Sequence, residues 1–276
     1  MLHITTLIDN FGHPDQPSLV SEHGLSFWIK FHDCRILCDM GASALFAQNA
    51  AQLGIDLATA HWALLSHGHN DHSGGLRTFL EQNAEAPVHL SPQVFQQHYF
   101  SSRHANKRNI STDGELHQSY FERFRFHTEN CWITPEVALV RNTHFDHPCP
   151  IGNRFLTQEV SGEERLDDFK HEFSLAMLTP QGLVVVSSCS HNGALNILES
   201  CTEFTGERRV RAFVGGLHFV DSPKVESEAR LFLDEKNRLY PDTEFCIGHC
   251  TGPLSRPFLQ TDPKVRFFHT GTTVTF

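Results

Sequence analysis

Apolar positions recur along this chain at two periods, and the switch between them marks out its elements. Residues 3–9 alternate weakly and predict a first strand. Leu25, Phe27, Ile29 and Phe31 then fall on one face at period two, as a half-buried strand requires. Arg35-Ile36-Leu37-Cys38 predicts a third strand, closed by the turn Asp39-Met40-Gly41. Ala44 to Leu53 is helical in composition, with Leu45, Phe46, Asn49 and Leu53 roughly on one stripe. Trp62-Ala63-Leu64-Leu65 is a short apolar run of the buried-strand kind, a helix is predicted from Leu76 after Ser73-Gly74-Gly75, and Pro87-Val88-His89-Leu90 is a further strand.

Regularity then fails over residues 92–128, an aromatic and basic mixture holding Phe95, His98, Tyr99, Phe100, Arg103, His104, Lys107, Arg108, Tyr120 and Arg123. An irregular stretch of that length inside a compact domain is functional or disordered. We read it as a lid whose cations could meet an anionic substrate; a solvated insertion without a role is the competing reading. After the strand Val137-Ala138-Leu139-Val140, the run His144-Phe145-Asp146-His147 imitates half a metal motif and is assigned a structural or lid role. From residue 168 order returns. Phe173 to Leu178, a turn at Pro180-Gln181-Gly182, and Leu183 to Ser187 predict a hairpin, followed by a helix from Ala194 to Cys201. Three predicted strands end alike: in Cys189-Ser190-His191-Asn192-Gly193, in Gly215-Gly216-Leu217-His218 and in Gly248-His249-Cys250-Thr251-Gly252. Strand carboxyl ends are where α/β sheets place their ligands.

The densest chemistry lies in Ser66-His67-Gly68-His69-Asn70-Asp71-His72-Ser73-Gly74-Gly75, directly after an apolar strand. Gly68 and Asn70 let the chain turn, so His67 and His69 can converge on one metal while Asp71 and His72 reach a second. Two ions roughly 3.5–4 Å apart would clamp and activate an oxygen nucleophile. A chain with 20 histidines will cluster some by chance. Chance does not readily deliver four ligand types in the order H-x-H-x-D-H at a strand end, so the loop is read as a metal site.

Composition narrows the partners. At 276 residues, with no Pro/Gly/Ser-rich linker or charge run, the chain is read as a single domain over 1–276 with the lid inserted at about 92–128. A formal charge of −10, without a Lys/Arg cluster, argues against nucleic acid and leaves room for a local pocket for an anion. The first residues lack a signal-peptide pattern and no apolar run approaches the about 18 residues of a membrane span, so a cytoplasmic protein away from membranes is expected. The eight cysteines, with no Cys-x-x-Cys pair, are expected as reduced thiols. The oligomeric state is left open.

These motifs resemble the metallo-β-lactamase superfamily, whose signature is the H-x-H-x-D-H loop. Within it, Glu22-His23-Gly24-Leu25-Ser26, Cys38-Asp39-Met40-Gly41, the His67–His72 loop, Cys189 to Gly193, Gly215 to His218 and His249-Cys250-Thr251-Gly252 resemble the branch typified by 7,8-dihydropterin-6-methyl-4-(β-D-ribofuranosyl)aminobenzene 5′-phosphate synthases. The resemblance implies an α/β fold, the four-layer αββα sandwich of two mixed sheets with helices outside. It implies one or two divalent metals, Zn first and Fe or Mn as alternatives, held by His67, His69, Asp71, His72, His191 and His249. Asp39 would accept a hydrogen bond from a ligand histidine. Many members carry a bridging aspartate where this chain has Cys189, which makes His191 the ligand there. His171 or the adjacent Glu172 would be a ligand or an outer partner, and Asn192 and Thr251 would bind substrate or support the ligands. Asp71 and His218 are the catalytic candidates, His218 as a proton donor with no necessary place on a metal. The implied activity is hydrolysis of a small anionic substrate, phosphorylated or pterin-like, by a metal-activated water. A pyrophosphate-displacing transferase and a non-catalytic metal- or pterin-binding module are the alternatives.

Overall fold

The computed structural model describes residues 1–103 and 106–276, so His104 of the basic stretch lies outside the described residues. Contacts divide the chain into two compact units, the first made of Met1–Thr128, Phe155–His171 and His269–Thr275, the second of Glu129–Arg154, Glu172–Phe268 and Phe276. Strands β1–β18 and α-helices α1–α8 are numbered in chain order.

In the first unit β1 (Leu2–Ile8), β2 (Ser26–Phe31), β3 (Cys34–Cys38), β4 (Trp62–Leu64), β5 (Val88–Leu90), β8 (Phe124–Phe126) and β18 (Thr273–Thr275) form a mixed sheet in the order β18-β1-β2-β3-β4-β5-β8. The β1–β2–β3 meander is antiparallel and β3–β4–β5–β8 run parallel. β2, predicted half-buried, exposes only Lys30, because it is an interior strand of a seven-stranded sheet. Helices α1 (Leu45–Gln52) and α3 (Leu76–Gln82) bury Phe46, Ala50, Leu76 and Phe79 in a core with Leu37, Leu65 and Val88. The polar residue on the α1 stripe is accounted for: Asn49 Nδ2 donates to the carbonyls of Leu7 at 2.7 Å and Val20 at 2.8 Å.

Two expectations change here. Residues 92–128 hold regular structure, namely α4 (Gln93–Gln96), β6 (His98–Ser101), β7 (Arg108–Asn109), α5 (Glu115–Ser119) and β8. β6 and β7 join β11 (Leu156–Val160) and β12 (Glu163–Leu166) in a second sheet of order β12-β11-β6-β7. Elements of two to five residues are too short to show a period, which is why the stretch reads as irregular. The helical turn after β4 also begins earlier than predicted: α2 (Asn70–Ser73) itself carries Asp71 and His72.

In the second unit β9 (Cys131–Thr134), β10 (Val137–Arg141), β13 (Phe173–Thr179), β14 (Gly182–Ser187), β15 (Val210–Gly215), β16 (Glu244–Ile247) and β17 (Val265–Phe267) form a sheet of order β17-β16-β15-β14-β13-β10-β9. β9, β10, β13 and β14 pair antiparallel and β14 to β17 pair parallel. Parallel pairing sets the carboxyl ends of β14, β15 and β16 along one edge. Helices α6 (Ala194–Thr205) and α7 (Val225–Leu239) cover the core of Leu198, Phe213, Ala229, Phe232 and Phe245; the short α8 spans Arg256–Leu259. Among the described residues no helix is long and apolar enough to cross a membrane, and all eight cysteines are free thiols.

Candidate metal centre

The H-x-H-x-D-H loop leaves β4 and enters α2 in the first unit, and the turn after β3 fixes it. Asp39 is fully buried and takes a positive φ of 59°. Its carboxylate accepts from the backbone N–H of Ser66 at 2.7 Å, from Ser66 Oγ at 2.7 Å and from His72 Nδ1 at 2.7 Å. Ser66 Oγ in turn stands 2.7 Å from His67 Nδ1. One buried carboxylate therefore orients two imidazoles through their Nδ1 atoms, which leaves Nε2 as the nitrogen on each that could hold a metal. The ring of His67 lies 4.2 Å from that of His72 and 4.6 Å from that of His69. Asp71 Oδ2 stands 3.8 Å from His72 Nε2 and 3.4 Å from His23 Nε2.

The motif around Glu22 explains how this turn is held. Glu22 accepts from the N–H groups of Ala42 and Ser43 and from Ser43 Oγ, which ties it to the entry of α1. A Cβ on Gly24 would lie 2.7 Å from the Asp71 carbonyl, so only glycine lets the chain pass there. The segment after β7 closes the other side: Ile110 O accepts from Asn70 N–H, Gly68 O accepts from Thr112 N–H, and Thr112 Oγ1 bonds Ser73 Oγ. Part of the predicted lid is thus a wall of the loop.

His69, Asp167 and His171 form a second buried trio whose ligand-type atoms lie within 4.8 Å of one another. His171 Nδ1 accepts from Gly68 N–H at 3.0 Å while Nε2 faces Asp167 at 3.2 Å, so the ring is in its Nε2–H tautomer and works as a clamp on the loop. Asp167 Oδ2 is also 3.5 Å from His69 Nε2. Burial would raise the Asp167 pKa, but the neighbouring His171 and His69 outweigh it and hold the group ionised well below the usual carboxylate range. Burial, against the hydrogen bond to Asp167, holds His69 below the ordinary imidazole value and so in the neutral form a metal ligand needs. Asp167 escaped the sequence reading; its one signal is an acidic residue four positions before His171.

The second unit places its histidines at the parallel strand ends. Ser190, His218 and His249 take φ values of 58°, 51° and 48°, a conformation costly to a side-chain-bearing residue and concentrated at functional sites. Glu172, at the start of β13, accepts from the N–H groups of His191 at 2.8 Å and Asn192 at 3.0 Å and from Asn192 Nδ2 at 2.8 Å. It therefore shapes the His191 turn, and Asn192 is its partner. His191 Nδ1 stands 3.2 Å from Asn153 Oδ1, and its ring meets that of His218 at 4.3 Å. Thr251 Oγ1 accepts from Leu217 N–H at 3.0 Å, and Cys250 Sγ accepts from His218 N–H at 3.2 Å. The residues after β16 thus hold the His218 turn. His249 is buried. Of the expected lid cations, Lys107 pairs with Glu164 and Arg123 donates to the Ala86 carbonyl, so both are engaged within the first unit.

Buried imidazoles aligned by carboxylates, with an acidic residue beside them, are a donor set that fits a divalent metal, and in the first unit Asp39 with His67 and His72, and His69 with Asp167 and His171, are groups that could hold one. Residues 22–150 match the family model described as Metallo-beta-lactamase superfamily. The chain is 27% identical over 298 residues, covering 100% of it and 97% of the relative, to 7,8-dihydropterin-6-methyl-4-(beta-D-ribofuranosyl)-aminobenzene-5'-phosphate synthase of Methanocaldococcus jannaschii. A crystal structure of a metal-dependent hydrolase of the beta-lactamase superfamily superposes with a TM-score of 0.82 at 28% identity, covering 100% of this chain and 99% of that one. The fold recurs at 13% identity and a TM-score of 0.56 in a diphosphatase from the PhnP family, with 100% of this chain and 97% of that one covered. The chain thus has the metallo-β-lactamase fold, resembles that superfamily over residues 22–150, and resembles along its whole length the dihydropterin-ribofuranosylaminobenzene phosphate synthase of Methanocaldococcus jannaschii.

Proposed function

We propose that this protein is a metal-dependent hydrolase acting on a small anionic substrate, phosphorylated or pterin-like. The observation that carries the reading is the Asp39 network, in which one buried carboxylate aligns His67 and His72 beside Asp71. The solved relative described as a metal-dependent hydrolase supports it. A bound divalent cation, Zn first with Fe or Mn as alternatives, supplies the Lewis acidity that brings a water's pKa down toward neutrality. His67, His69, Asp71 and His72 are the proposed ligands in the first unit, His191 and His249 in the second. Asp71 orients the attacking oxygen, and His218 gives a proton to the leaving group.

A second reading is a transferase in which a carbon nucleophile displaces pyrophosphate; the relative named as a synthase favours it. Consumption of a dihydropterin pyrophosphate, followed with and without an aminobenzene acceptor, separates the two. Release of product without acceptor supports hydrolysis, whereas strict dependence on acceptor establishes transfer. Elemental analysis of protein purified without added metal tests both. Absence of any transition metal, with none taken up on titration, overturns the metal reading itself.

A further inference from the structure

The run His144-Phe145-Asp146-His147 lies in the second unit, and the structure sets it against one face of α6. Asn196, Glu199, Ser200 and Glu203 occupy positions i, i+3, i+4 and i+7 of that helix, a continuous polar stripe. The two buried members of the stripe clamp the loop backbone. Ser200 Oγ accepts from Thr143 N–H at 2.9 Å and His144 N–H at 3.3 Å, while Asn196 exchanges two 2.8 Å hydrogen bonds with the backbone of His147. The two carboxylates of the stripe face the imidazoles so positioned.

The distances fall into two classes. Glu203 Oε2 stands 2.9 Å from His144 Nε2 and Glu199 Oε1 stands 3.0 Å from His147 Nε2, both ordinary hydrogen bonds. His144 Nδ1, by contrast, is 3.6 Å from Glu199 Oε2 and 3.8 Å from Asp146 Oδ2. Those separations are too long for hydrogen bonds. Donors each bound at about 2.0–2.2 Å to one tetrahedral cation stand roughly 3.3–3.6 Å apart, a spacing the Glu199 oxygen meets and the exposed Asp146 side chain reaches by a small rotation. The three ligand-type atoms all lie within 4.8 Å of one another.

We propose that His144 Nδ1, Asp146 and Glu199 form an auxiliary site for a divalent transition metal of the zinc type, separate in sequence and in chemistry from the ligands named above. Glu203 fixes the ring of His144 by accepting its Nε2–H, the arrangement that orients a ligating histidine, and His147 does the same for Glu199. The Asp146 side chain is 82% exposed, so the fourth position opens to water or to an exchangeable ligand. Glu235, 3.8 Å from His147 Nδ1 and paired with Arg238, adds negative charge on the far side of that ring. The paired imidazole–carboxylate donors suit Zn, Ni or Cu over Mg or Ca.

Zinc equivalents retained by the full-length chain after titration and gel filtration test the site. Wild-type protein retains one more equivalent than Asp146→Asn, a change of an exposed side chain that keeps its size, and one more than His144→Gln. His67→Ala keeps this additional equivalent, which separates it from the centre discussed under proposed function. Equal zinc content in wild type and Asp146→Asn overturns the proposal and reduces the cluster to ion pairs. Cobalt substitution gives an independent readout: the visible absorption of wild type should lose one component in Asp146→Asn, and an unchanged spectrum counts equally against the site.

Discussion

A single buried carboxylate decides the geometry of the loop at the residue scale. Asp39→Ala removes the acceptor for Ser66 N–H, Ser66 Oγ and His72 Nδ1 together. Leaving buried donors without their acceptor costs about 1–3 kcal/mol, and losing an outer partner of a ligand typically weakens metal affinity about 10–100-fold. Metal competition against a chelator and a melting curve are expected to show both losses in Asp39→Ala; retained affinity would remove Asp39 from the centre. Asp39 was legible as a support only through the resemblance to the superfamily, since a D-x-G at a strand end taken alone reads as an ordinary turn. Asp167 was not, because nothing local in Leu166-Asp167-Asp168 reports that the chain returns it to His69 and His171. His171 and Glu172, adjacent in sequence, were indistinguishable there; structure separates them by partner, Gly68 N–H for the first and His191 N–H for the second. His218 carries the residue-scale prediction about turnover. His218→Ala is expected to keep full metal content and to lose about 10²–10⁴ in rate, the usual worth of a placed proton donor. Loss of a metal equivalent instead would make His218 a ligand.

Elements translate these residues into position through close approach. α2 abuts the turn after β3: Met40 N–H donates to the His72 carbonyl and Gly74 N–H to the Gly41 carbonyl. A Cβ on Gly74 would lie 2.0 Å from the Ala42 carbonyl oxygen, and a backbone atom cannot swing aside. Gly74→Ala is therefore expected to destabilise by at least the about 1–3 kcal/mol of overpacking and to lower metal affinity with it; native stability and affinity in that variant would show that α2 is free to shift. α7 teaches the opposite lesson about legibility. Its sequence is heavily charged, yet Val225, Ala229, Phe232, Leu233 and Lys236 form a buried stripe at helical spacing. Lys236 obscured the pattern because its charge is neutralised from outside the helix, by Asp262 at 2.8 Å. Asp262→Asn breaks that pair around a fully buried ammonium, at a cost of about 3–5 kcal/mol near neutral pH. Burial would raise the Asp262 pKa, but its hydrogen bonds, chiefly from Lys236, lower it. The stabilisation is then present above the ordinary carboxylate pKa and lost as pH falls through the lowered value. Wild type and Asp262→Asn should accordingly converge in stability in acid; a pH-independent difference would contradict the linkage.

Contacts at the scale of the whole molecule are assembled from distant stretches. The first unit takes in residues 155–171 and 269–275, so β11, β12 and β18 return to it from far along the chain. Their pairing was illegible because strands of three to five residues carry too little pattern to reveal a partner. The fold itself was legible through the resemblance, because the motifs that carry it are distributed along the chain: a ligand loop after one apolar strand and three histidine turns after three others. Metal binding is the property that should couple most visibly to stability as a whole, since a ligand that binds only the folded chain stabilises it by RT ln(1 + [L]/Kd), about 2.7 kcal/mol at a free concentration one hundred times Kd. Chelator-treated protein should melt several degrees lower than protein resupplied with zinc, at about 2–4 °C per kcal/mol. The difference should grow with the logarithm of free zinc, and it should shrink sharply when His67 and His69 are both replaced by alanine. A melting temperature insensitive to zinc in wild type, over a range in which binding is measured directly, would mean that the aligned imidazoles do not distinguish the folded chain from the unfolded one.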